Sequence, residues 1–236
     1  EQRIPDVDSF SGRVDPASTT STVIVLGQEF HTGFWGHLGL LGLTRNLLLP
    51  DYAGYPNTAA ASLYPPNSLI ADLAHRQGAL VGYVHPFEAE PDPTGRAQRK
   101  AGRAGDPGVQ EARITNALPV DVALGKTDYL EVLGFSDHHA TAAVWYRLLN
   151  LAFRLPAGAG TDAMANFTSL RGPVGMNRVY VEVPQGPLRL ESWLAGLRRG
   201  RTFATNGPLL RFTLAGKGIG GEVKLEQRAS IADGDE

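Results

Sequence analysis

Glu29, His31 and His37 stand close together where two apolar runs meet a glycine-containing loop. Residues 23–26 are a β-branched apolar run leading straight into the carboxylate, and a second apolar run starts at Leu38. Short apolar runs bounded by glycine predict buried strands. Buried parallel strands are apolar throughout, so a carboxylate and imidazoles at such a junction need a reason. Imidazole and carboxylate together suit a divalent metal such as Zn, Mn or Fe, with Glu29, His37 and His31 as ligands. The plainer alternative is a hydrogen-bonded buried glutamate beside two ordinary loop histidines. Three residues alone do not make a signature.

The same arrangement recurs along the chain. Ser68 reads as the cap of a helix carrying Leu69, Ile70, Leu73 and Ala74 at helical spacing, with Gly78 at its end. A strand over 79–84 follows, and His85-Pro86 ends it, because proline cannot continue a central ladder. A short helix over 120–124, closed by Gly125, precedes a strand over 127–133. Alternation puts Tyr129, Glu131 and Leu133 on one face of that strand. Glu131 is expected to be structural and paired to an arginine, rather than to act as a base. Ser136-Asp137-His138-His139 comes next, with Ser136 and Asp137 also suited to capping a helix over 142–151. In that helix Trp145, Tyr146, Leu148 and Leu149 suggest packing. A strand-like stretch over 153–156 then runs through small residues into Asp162. Glu29, His85 and Asp162 thus fall at the same end of three separate strands, the end that carries chemistry in α/β barrels.

Composition sets the outer bounds. The chain has 236 residues, 42% hydrophobic and 19% charged, which describes a globular α/β protein with a sizeable core. A formal net charge of -2 gives no general attraction to nucleic acid or anionic membrane. With Cys 0, disulfides, thiolate nucleophiles and cysteine-zinc sites are excluded. No apolar run reaches the roughly 18 residues of a spanning helix, so a soluble protein, cytoplasmic or exported, is expected. The chain opens at Glu1 without methionine and stops soon after a strand-like segment, so both ends are expected to be cut. Residues 1–22 read as a polar lead-in, 23–208 as the repeating strand-helix part, and 209–236 as the start of an antiparallel β module. The irregular loop over 51–66 is long enough to be functional, whereas Arg96, Arg99, Lys100 and Arg103 suit a solvated loop better than a lid.

Several motifs look familiar together. Gly27-Gln28-Glu29 with Gly36-His37, then Gly82-Tyr83-Val84-His85-Pro86-Phe87, then Gly160-Thr161-Asp162, resemble the PHP (polymerase and histidinol phosphatase) superfamily of metallohydrolases. The runs over 118–126, 145–150 and 200–208 are similar to its CehA/McbA-type branch, named for carbaryl hydrolases. The resemblance implies a distorted (β/α)7 TIM-like barrel with two or three divalent metals at its C-terminal face. It implies Glu29 as a metal-bridging carboxylate, His37 and His85 as imidazole ligands, and Asp162 as a late-strand ligand. The family's opening His-x-His pair is absent, since the histidines are at 31, 37, 75, 85, 138 and 139. A truncated N-terminus and weakened metal binding are expected from that gap. Many relatives carry histidine where this chain has Met164.

The expected activity is hydrolysis of a small-molecule phosphoester, or of a carboxylic or carbamate ester, by metal-activated water. Arg171 is the candidate for holding an anionic group, with His138 and Asn206 as further candidates. The rival expectation is a non-catalytic binding or accessory domain with a decayed site. Oligomeric state is not readable from the sequence.

Overall fold

A computed structural model describes residues 14–31, 35–45, 64–87, 115, 117–164 and 171–224. The basic residues Arg96, Arg99, Lys100 and Arg103, and the loop over 51–63, lie outside the described residues. The protein is mixed α/β. Strand β1 (Gln28–Phe30) pairs antiparallel with β2 (Leu38–Leu41), and β2 pairs antiparallel with β3 (Leu80–Tyr83). Strand β3 runs parallel to β4 (Tyr129–Leu133), and β4 parallel to β5 (Ala157–Ala159). Four strands therefore share a direction and β2 opposes them. The sheet is mixed rather than parallel. Strands β6 (Arg178–Val181) and β7 (Thr202–Thr205) make a separate antiparallel pair, and the Thr202 hydroxyl donates to the Ala157 carbonyl at 2.8 Å. No closed barrel forms among the described residues.

Period-two alternation divides the sheet into two faces. Leu38, Leu40, Val81, Tyr83 and Leu130 form one, covered by α1 (Asn67–His75), α2 (Leu118–Ala123) and α3 (His138–Asn150). Leu41, Leu80 and Tyr129 form the other, under Trp193, Leu194 and Leu197 of α4 (Leu190–Arg198) and Val181 of β6. Helix α1 begins one residue before Ser68, with Pro66 in the N-cap position and no side-chain cap. Helix α3 begins at His138, earlier than its apolar spacing suggests, because Asp137 accepts from the His139 and Ala140 amides at 2.9 Å.

The first strand differs from expectation. Among the described residues, 23–26 join no named strand: Val25 makes a bridge with Val14, Leu26 is also bridged, and Ile24 is 43% exposed. Strand β1 starts at Gln28 because its register with β2 sets Phe30 against Leu38 and buries the ring, a larger apolar gain than any valine upstream. Over 209–224, a single antiparallel bridge between Leu214 and Lys217 stands where longer strands were expected. Among the described residues no helix is long and apolar enough to cross a membrane.

Tyr129 determines how closely the strands of the second face approach. Its ring occupies the space that a Cβ would need at Gly82 and Gly158, its hydroxyl does the same at Gly39, and that hydroxyl donates to the Gly39 carbonyl at 3.0 Å. Three glycines from β2, β3 and β5 thus form the floor beneath one buried aromatic ring. A methyl group at Gly82 must displace it. Gly82→Ala should lower stability by about 1–3 kcal/mol in urea unfolding, the usual cost of overpacking. Gly207→Ala, with no atom near the added Cβ, should stay within about 0.5 kcal/mol of the parent.

Candidate metal centre

The reversal of β2 assembles the site. Phe30 pairs with Leu38, and Leu38 with Tyr83, so the exits of β1 and β3 and the entry of β2 share one edge. The Val84 amide donates to the His37 carbonyl at 3.2 Å, carrying the ladder one step past β3. His31, His37 and His85 flank that edge, and Glu29 lies one residue inside β1. Neighbouring strands are about 4.8 Å apart. Side chains from three adjacent strands can therefore meet without a long reach.

They do meet. Glu29 Oε1 is 2.8 Å from His85 Nε2, 3.1 Å from His31 Nε2 and 3.2 Å from His37 Nδ1, and His37 Nδ1 is 3.4 Å from His85 Nε2. The His31 and His37 rings stack with centroids 4.1 Å apart, and His85 meets His37 edge-on. Among the described residues, the grouping of three donors able to hold one ion is Glu29, His37 and His85. Tetrahedral zinc with bonds near 2.0–2.1 Å separates its donors by ~3.4 Å. The separations found here, 2.8 to 3.4 Å, need only small outward shifts to match. The donor set fits a divalent ion.

Without an ion, the same atoms form a hydrogen-bonded knot. Burial raises the Glu29 carboxyl, but hydrogen bonds from the three imidazoles outweigh it and hold the group well below the usual carboxylate range. Burial lowers His85, and the bond to Glu29 overrides this and raises it.

A second ring of contacts fixes the donors. His85 has φ 31 and Asp162 φ 55, left-handed values uncommon for residues with a Cβ. Such strain persists only where neighbours over-determine it, and it gathers at functional sites. Glu131 supplies that constraint for His85 by accepting its backbone N–H at 2.5 Å. Glu131 is 7% exposed, and its carboxylate fills the space beside Gly134 and Gly160 where a Cβ would sit. Burial pushes its pKa up to about 7, against the His85 amide bond that lowers it. The expected arginine partner is replaced by a backbone amide. Strand β4 also shifts register after Glu131, which breaks the alternation before Leu133.

Asp162 lies beyond the three-donor group. Its Oδ2 meets Arg171 Nε at 3.0 Å, and the guanidinium stands 5.2 Å over the Phe135 ring. Burial raises the Asp162 carboxyl, Arg171 opposes that, and the negative Glu29 adds to it, so the two carboxylates share one field. Thr161 ties this loop to Asn177, donating to its carbonyl at 3.0 Å and accepting from its amide at 3.1 Å. His138 turns back to the Gly134 carbonyl at 2.9 Å, and Asn206 is exposed in the turn after β7. Neither joins the donor group. Glu131's grip on His85 escaped the sequence reading, although its alternation with Tyr129 was the available signal. Comparison of the chain with family models, with curated protein sequences and with solved structures gave no match.

Pairing with Glu29 and candidate metal ligation by His85 predict opposite pH trends. With its folded value raised, its protonation stabilises the metal-free protein fully below the unfolded value, and that contribution is lost as pH rises through the folded value. An ion binds only the neutral imidazole, so zinc affinity should increase with pH over the same window. Unfolding and zinc titrations from pH 6 to 8.5 should move in opposite directions, and His85→Ala should make both slopes shallower, with the buried Glu131 carboxyl keeping part of the stability slope up to about pH 7.

Proposed function

We propose that this chain is a metal-dependent hydrolase of the PHP type, with Glu29, His37 and His85 as its core ligands. The observation carrying this reading is the convergence of those donors from three adjacent strands at spacings near those of a tetrahedral ion. On this reading His31, stacked on His37, would be a further ligand, and Asp162, now paired with Arg171, would be another. On the same reading β1, β3, β4 and β5, which share one direction, belong to the distorted (β/α)7 barrel that the sequence motifs imply, and β2 is a reversed strand within it.

A bound divalent ion supplies a water of lowered pKa and polarises the bond under attack. The chain's own residues account for the rest. Glu29 carries its negative charge at neutral pH and orients three imidazoles at once. Glu131 and the left-handed backbone hold His85 in one pose. Arg171, braced on Phe135, offers cationic charge at the rim for a phosphoryl or acyl oxygen. A small phosphoester, or a carboxylic or carbamate ester, is the substrate class that such a site accepts.

One observation favours the rival of a non-catalytic domain: Glu29 Oε1 lies within 3.2 Å of nitrogens on three imidazoles, a cluster that hydrogen bonding and charge pairing alone also account for. Zinc content and hydrolysis of an aryl phosphate and an aryl ester separate the two readings. The hydrolase reading expects zinc uptake and turnover, both lost in Glu29→Gln and His85→Ala, with rates falling about 100-fold or more. A protein that takes up no metal, and whose two variants match the parent, is the binding domain instead. Cleavage of the aryl ester alone would retain the ester and carbamate branch and remove the phosphatase branch.

A further inference from the structure

Asn67, Tyr83 and Asp121 are polar side chains sealed in the hydrophobic core, at 1%, 0% and 4% exposure. A buried polar group left unpaired costs about 1–3 kcal/mol, so such groups persist where a network satisfies them. Here the network is a line. Asp121 Oδ2 accepts from the Tyr83 hydroxyl at 2.6 Å, and that hydroxyl accepts from Asn67 Nδ2 at 3.1 Å. Asn67 Nδ2 also donates to the Gly36 carbonyl at 2.9 Å. The members come from three elements, α1, β3 and α2, and the line ends on the backbone immediately before His37.

That endpoint matters. The Gly36 carbonyl belongs to the peptide plane that bears the His37 amide, so holding it fixes the direction in which His37 leaves the chain. Gly36 has φ 108, a conformation that glycine alone adopts easily. His37 in turn presents Nδ1 to both Glu29 and His85. Apolar side chains would fill this part of the core without the cost of burying three polar groups, but they could not grip a carbonyl.

We propose that Asn67, Tyr83 and Asp121 form a buried positioning network that sets the His37 imidazole and thereby the affinity of the metal centre. This rests on the metal-centre reading above. The three residues reach the metal centre through the Gly36 carbonyl and His37. Partners behind metal-ligating histidines typically change metal affinity 10- to 100-fold when lost.

The test uses the full chain and zinc alone, with affinity read by chelator competition and the His37 ring signals read by NMR in metal-free protein. Tyr83→Phe keeps the ring and removes the hydroxyl, whereas Asn67→Ala removes the donor to Gly36. Asp121→Asn keeps an oxygen that accepts from Tyr83 and serves as the conservative variant. Asp128→Asn is the stability control, since Asp128 binds His75 and the Val81 amide on the far edge of the sheet, both at 2.8 Å. Asn67→Ala and Tyr83→Phe should weaken zinc 10- to 100-fold and shift the His37 signals, with Asp121→Asn within about threefold of the parent. Asp128→Asn should lose stability at unchanged affinity. Parental zinc affinity and unmoved His37 signals in the first two variants would overturn the network. So would an equal loss of zinc affinity in Asp128→Asn. If the parent takes up no zinc, the metal reading falls separately. The His37 signals then decide the network, and unmoved signals in Asn67→Ala and Tyr83→Phe overturn it.

Discussion

The Glu29 carboxylate among its imidazoles is the interaction around which this structure is arranged. Removing a carboxylate from water is costly unless its charge is matched and its lone pairs are satisfied. Here one oxygen lies within 3.2 Å of nitrogens on His31, His37 and His85. No single strand supplies that set. It requires β1, β2 and β3 to be neighbours, with β2 running against the other two so that its entry meets their exits. The order and direction of the strands are thus prerequisites of this cluster.

Close packing on the two faces holds that edge in place. On one, Tyr129 lies over glycines of β2, β3 and β5, which lets the backbones approach and locks their relative heights. On the other, the line from Asp121 to Gly36 runs through a core of leucine, isoleucine and valine. Between them, Glu131 holds His85 in a conformation that its side chain resists. The strain at His85 and at Asp162 sits beside the donors, where structures commonly store it for function.

The sequence made some of this legible. Apolar runs and helical spacing located β3, β4, α1 and α2, whereas α3 was expected over 142–151, with Ser136 and Asp137 both open as caps, and begins at His138. Polar residues at strand tips pointed to Glu29, His37 and His85. Other features are tertiary and left weaker traces. The run over 23–26 has strand composition, but pairing, not composition, chose Gln28–Phe30. The reversal of β2 had a readable sign, since the connection from Phe30 to Leu38 is too short for a parallel crossover. Nothing in the order of residues connects Asn67 with Gly36, or Glu131 with the His85 amide, because those contacts exist only once the sheet has formed.

Zinc-edge X-ray absorption on the zinc-loaded chain tests the central claim most directly. The account predicts a first shell of nitrogen and oxygen at about 2.0–2.1 Å with outer-shell scattering from at least two imidazoles. Loss of one imidazole contribution in His37→Ala, and of another in His85→Ala, would identify them as ligands. A spectrum of hydrated zinc without imidazole scattering, or one unchanged by both substitutions, would contradict it.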